Sequence, residues 1–155
     1  MRIRVLMAMS ALLVSTACGS SNDSGSTSPN NTGTATRSMS AKVDGAAWST
    51  AFVGGSVSNG VVILAGSDGT QTIGVSFAAA SGTQAISAGT IVSGSLTIGP
   101  LTWKAGPGTG TGTVTVATVT ANHVVGTFSF TAQGLVASTT PATRQVTAGT
   151  FDVTF

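Results

Sequence analysis

The stretch GTVTVATVTANHVVGTFSFTA, residues 112–132, decides the fold. Between Val124 and Ala132, Phe128 and Phe130 alternate with Thr127, Ser129 and Thr131, a period of two that sends large apolar side chains to one face and hydroxyls to the other. Gly112 to Ala121 carries the same alternation, with Val114 and Val116 against Thr113 and Thr115. Asn122-His123 separates the two runs, so the segment reads as a hairpin with His123 at its tip. β-branched residues fill such pleated surfaces well.

The same reading extends outward in both directions. Asp44-Gly45, Asn59-Gly60 and Asp68-Gly69 are dipeptides suited to tight turns, and they delimit runs at Ala51 to Ser58, Val61 to Gly66 and Thr70 to Ala78. Further runs cover Ile91 to Ile98, a short stretch from Leu101 through Trp103, and Thr147 to Phe155. Pro100 blocks ladder pairing after Ile98, and Gly106-Pro107-Gly108 breaks the chain before the central hairpin. No segment has helical periodicity. The expected fold is all-β, an antiparallel β-sandwich of about eight strands, with a small closed calycin-like β-barrel as the alternative. The last strand ends on an inward Phe155, so its loss is expected to cost about 3 to 5 kcal/mol, the scale of one buried Phe.

The N-terminal part has a different composition. Arg2 and Arg4 precede thirteen mostly apolar residues, Val5 to Ala17, too short for the roughly 20 residues of a membrane span. Small residues Ser15, Thr16 and Ala17 then lead into Cys18, the single cysteine. This is the form of a lipoprotein export signal over residues 1–17, with a lipid expected on Cys18. Ser15-Thr16-Ala17 also suits ordinary secretory cleavage, and either way the cut falls before Cys18. Residues 18–38 are almost wholly Ser, Thr, Gly, Asn and Pro after the cysteine and are expected to act as a tether, leaving 39–155 as the one foldable domain. Gly19 stands where an aspartate would signal retention in the inner membrane, so the expected destination is the outer membrane, reached through the lipid on Cys18.

Charge and chemistry narrow the function. Beyond residue 17, Arg37, Lys42, Lys104 and Arg144 balance Asp23, Asp44, Asp68 and Asp152, so the formal charge of +2 belongs to the signal. No basic cluster is present to neutralise phosphates, and no nucleic-acid partner is expected. His123 at a hairpin tip is expected to be an exposed turn residue. Asp44 and Asp68 precede glycine and read as turn caps, and Asp152 faces outward on the last strand. No metal-ligand spacing, paired acids or nucleophile elbow appears, so no enzyme activity, catalytic residue, metal or cofactor is expected. Trp48 reads as a core anchor. Trp103, next to Lys104 and the glycine-rich loop, is the one candidate for an exposed ligand contact. Thr109, Thr111, Thr113 and Thr115 alternate as one ladder of hydroxyls, which alone is an ordinary outward strand face.

Ser40-Ala-Lys-Val-Asp-Gly-Ala-Ala-Trp48, Gly112 to Thr115, Gly126 to Thr131 and Ala148 to Phe155 together resemble a family of uncharacterised small bacterial envelope lipoproteins. The resemblance covers about half of the domain and implies an all-β fold and an envelope location; it lends no catalytic residue. The expected role is a non-catalytic binding or structural module whose partner is an envelope protein or glycan. A calyx-like carrier of a small apolar ligand is the alternative.

Overall fold

The structure, a computed structural model, describes residues 36–155; the signal, Cys18 and most of the tether lie outside the described residues. The described residues form eleven β-strands and no helix. These are β1 (Arg37–Val43), β2 (Ala46–Thr50), β3 (Val53–Ser58), β4 (Val61–Ser67), β5 (Gln71–Ala78) and β6 (Gly82–Ile86). There follow β7 (Ser93–Ile98), β8 (Leu101–Ala105), β9 (Thr111–Val119), β10 (His123–Gly134) and β11 (Thr143–Thr154).

All ladders are antiparallel, in the order β2-β1-β11-β10-β8-β7-β5-β4-β3, with β9 beside β10 and β6 beyond β9. β10 makes the junction. Its residues Val124 to Thr131 pair with β9, whereas Gln133 and Gly134 pair with Lys104 and Trp103 of β8. A second corner lies at Ala51-Phe52, where Thr50 Oγ1 donates to Ser67 O (2.6 Å) and Ser67 N–H donates to Phe52 O (3.1 Å). The eleven strands therefore form one antiparallel sheet nearly closed into a barrel. One half is β6-β9-β10-β11-β1-β2 and the other is β8-β7-β5-β4-β3.

Side chains fill the space between the halves. Trp103, Phe77, Phe151, Met39, Leu64, Ile73 and Leu96 are fully buried. Phe77 of β5 stacks on Phe151 of β11 with ring centroids 5.3 Å apart, which ties one half to the other. A ligand held inside, as the alternative calyx reading requires, would have to displace these rings.

Inward phenylalanines face glycines across the ladder. Phe151 lies opposite Gly126, Phe128 opposite Gly149 and Phe130 opposite Gly112. The rings of Phe151 and Phe128 lie over the bare backbone of their partners, a Cβ on Gly126 falling 2.5 Å from Phe151 Cζ, whereas the Phe130 ring lies over Gly94 of β7. Glycine thus makes room where the strand pattern alone suggests weakness.

The strand count exceeds the expected eight for identifiable reasons. β6 has a single buried apolar residue, Ile86, and no alternation to announce it, while β1 and β2 form a further hairpin across the Asp44-Gly45 turn, ahead of the first expected run. Asp44 (φ 49°), Gly45 (φ 86°), Asn59 (φ 50°) and Gly60 (φ 74°) take the left-handed angles that two-residue hairpins need. β1 begins two residues before the expected domain start, because Arg37 and Ser38 pair with Val153 and Asp152.

Candidate functional site

The outer surface of the six-strand half carries hydroxyls in register. Thr83, Thr115, Thr127, Thr150, Ser40 and Ser49 lie directly opposite one another on successive strands β6, β9, β10, β11, β1 and β2. With neighbouring strands about 4.8 Å apart, five gaps make a row roughly 24 Å long. Hydroxyl contacts run along it: Thr83 and Thr115 oxygens are 3.0 Å apart, and those of Ser40 and Thr150 are 2.7 Å apart. Thr113 and Ser129 add a second pair one step along β9 and β10, at 3.5 Å. The row contains no charge and no aromatic ring. Of the anticipated ladder, Thr111, Thr113 and Thr115 belong to β9, whereas Thr109 sits in the preceding turn, bridged to Gly106.

A β-bulge dents this face. Between Val146 and Gly149, β11 has one residue more than β10, and Ala148 adopts φ 49°, a left-handed angle usually left to glycine. The dent, about 350 Å³, is lined by Thr113, Thr127, Ser129, Ala148 and Thr150 among others. A second depression of about 460 Å³ runs over Ser38, Ser40, Ser49 and Thr50 and meets the first at Thr150.

His123 is not at a hairpin tip. It opens β10 opposite Thr154, and its Nε2 lies 2.8 Å from Asp152 Oδ1, both side chains partly exposed at 36% and 41%. The turn residues are Ala121 and Asn122, closed by Thr120 N–H donating to His123 O at 2.8 Å. Among the described residues no serine or threonine hydroxyl bonds the His123 ring, so the pair lacks the nucleophile that would complete a triad. No cluster of three metal-ligating side chains occurs among the described residues.

Trp103, the candidate for an exposed ligand contact, is fully buried. Its Nε1–H donates to Pro141 O at 2.7 Å, and the Arg144 guanidinium lies 5.0 Å from the ring centroid. Pro141, in the segment joining β10 to β11, and Arg144, at the start of β11, both come over the indole, which is why the neighbouring Lys104 and glycine loop misdirect the reading. Arg144 also bonds Asp44, whose Oδ1 accepts the Gln145 N–H at 2.8 Å. Desolvation pushes the Asp44 carboxyl upward, but the Gln145 amide and the Arg144 guanidinium together outweigh it and hold its pKa below the ordinary 3.8. At Asp68 the N–H of Gln71, then the hydroxyl and N–H of Thr70, lower the pKa in the same direction.

The family model for the domain of unknown function DUF6252 matches residues 35–153. The chain belongs to this family. The DUF6252 match spans all eleven strands except the last residue of β11, in keeping with the resemblance to an uncharacterised family. No curated protein and no solved structure shows significant similarity to the chain. Within this DUF6252 domain, Ser40, Ser49, Thr83, Thr127 and Thr150 are the site residues that sequence reasoning passed over. A signal for them existed, since each is a hydroxyl at an outward position of its strand, but their alignment depends on register.

Proposed function

We propose that this DUF6252 chain is a non-catalytic recognition module of the cell envelope, held to the outer membrane by a lipid on Cys18, and that the hydroxyl face is its working surface. The observation that carries the reading is the row of six hydroxyls in register across six strands. Uncharged hydroxyls with adjoining methyls suit a neutral, hydrogen-bonding partner spread over many strands, such as a glycan or a protein surface. Isolated catalytic chemistry fits this face poorly, because it has no acid, base or nucleophile set apart from its neighbours. The signal-like residues 1–17 and the cysteine that follows support the anchor.

Two measurements test it. Labelling cells with a palmitate analogue should mark the wild-type chain in the membrane fraction and leave Cys18→Ala unlabelled. Capture from native envelope by the wild-type chain should yield a partner that is lost with the double variant Thr127→Lys/Thr150→Lys, whose melting temperature stays near wild type. Equal labelling of both chains rejects the anchor; equal capture by both rejects the face.

A further inference from the structure

We infer that β3 is an interface strand through which two copies of this chain pair edge to edge. β3 ends the strand order and bonds only β4. In the antiparallel β3–β4 ladder, Phe52 O accepts from Ser67 N–H and Ser58 and Val61 flank a two-residue turn, so Gly54, Ser56 and Ser58 spend their backbone groups on β4, as does the Phe52 carbonyl, while the Phe52 N–H goes to Thr50 Oγ1. The alternate residues Val53, Gly55 and Val57 point their N–H and C=O groups away from β4. Among the described residues no strand pairs with them.

Exposed edges are usually blunted by charge, proline, a bulge or a cover. The β3 sequence VGGSVS has no charge and no proline, its ladder to β4 runs without a register shift, and all but Val53 is exposed. The other edges differ. On β6, the Gln84 side chain accepts Ala78 N–H (2.8 Å) and donates to Ala78 O (2.9 Å) and Ala80 O (3.0 Å), tying that edge to the end of β5. β2 is five residues long and ends in the Thr50 bond to Ser67.

A second copy fits this edge better than a charged or bulky partner, because β3 is complementary to itself. With a two-fold axis at Ser56, Gly55 faces Val57 of the second copy and Val57 its Gly55, in the register that uses both exposed outward-pointing residues and leaves the buried Val53 out of the seam. Val57 (39% exposed) then lies against the bare backbone of the second copy's Gly55, and Ser56 against its Ser56. Gly54 and Ser56 keep the outer side small enough for the strands to meet. The two five-strand halves would join into one continuous sheet.

Sedimentation equilibrium on the full chain carrying Cys18→Ala, which removes the native thiol, should show a reversible dimer. Val57→Pro deletes an N–H that faces away from β4 and should weaken association at least about tenfold, or 1.4 kcal/mol, with an unchanged melting temperature. If that variant fails to fold, Ser56→Lys serves in its place, since a charge on the outer side opposes pairing without touching the β4 ladder. In the same background Ser56→Cys should form a disulfide dimer under mild oxidation, because this position faces its own counterpart on the axis. A chain that stays monomeric and uncrosslinked, or a dimer indifferent to Val57→Pro and Ser56→Lys, overturns the inference.

Discussion

Trp103 shows how a single side chain can be placed by groups far away in sequence. Its indole is enclosed, its N–H is spent on Pro141 and its face is covered by Arg144. Trp103→Phe keeps a ring in the core but strands the Pro141 carbonyl and leaves a gap, so it should cost about 2 to 4 kcal/mol, read as a lower urea midpoint at constant slope. Ala148 is the opposite case. Its left-handed φ is unfavourable for a residue with a Cβ by about 1 to 2 kcal/mol, of which glycine's extra unfolded freedom cancels part. Ala148→Gly should therefore stabilise the protein by about 0.5 kcal/mol in the same denaturation measurement. Nothing near Trp103 in the chain reveals its burial, since Pro141 comes from the segment before β11 and Arg144 from the start of that strand, and proximity to Lys104 suggests exposure instead. Asp68 was legible as a turn cap, its carboxylate accepting the Thr70 and Gln71 N–H groups, whereas Asp44 sits in its turn but gives its carboxylate to Gln145 and Arg144 of β11, a partnership no local signal announces.

Among the elements, the period-two runs at Thr70–Ala78 and Val124–Ala132 were readable because each buries one whole face: Ile73, Val75 and Phe77 in β5, Val124, Phe128 and Phe130 in β10. β6 was not readable, because its place depends on the Gln84 amide acting as a substitute strand partner for β5 and on pairing with β9. Gln84→Ala removes three hydrogen bonds and should cost about 1 to 3 kcal/mol, with amide exchange in Gly82–Ile86 accelerating more than in β10. The Gly126–Phe151 pair sets a second limit. Gly126→Ala forces a Cβ into the Phe151 ring and should cost about 1 to 3 kcal/mol by overpacking, measurable as a lower melting temperature. The hydroxyl row lies at this scale too: each strand declares its own outward Thr or Ser, yet only the register sets six of them in line.

For the whole molecule, closure depends on its ends. Phe155 is only partly buried, with its ring against the bare backbone of Gly55, so deleting it should cost less than the loss of a fully buried Phe, about 1 to 2 kcal/mol. Acid should weaken the fold through its turns. Asp44 and Asp68 have pKa values lowered by folding, so the stability they contribute is present above the unfolded value of 3.8 and is lost as pH falls through their folded values. A urea series should show the midpoint dropping below about pH 4, and Asp44→Asn should flatten that drop.

β1, where the described chain begins, lies between β2 and β11, and Thr154 N–H donates to Thr36 O at 2.8 Å just outside its first residue. Tension entering at Thr36 while the rest of the body is held fast must therefore slide one strand past two neighbours together, where a peripheral strand would peel away bond by bond. A pull from this end therefore loads two ladders at once.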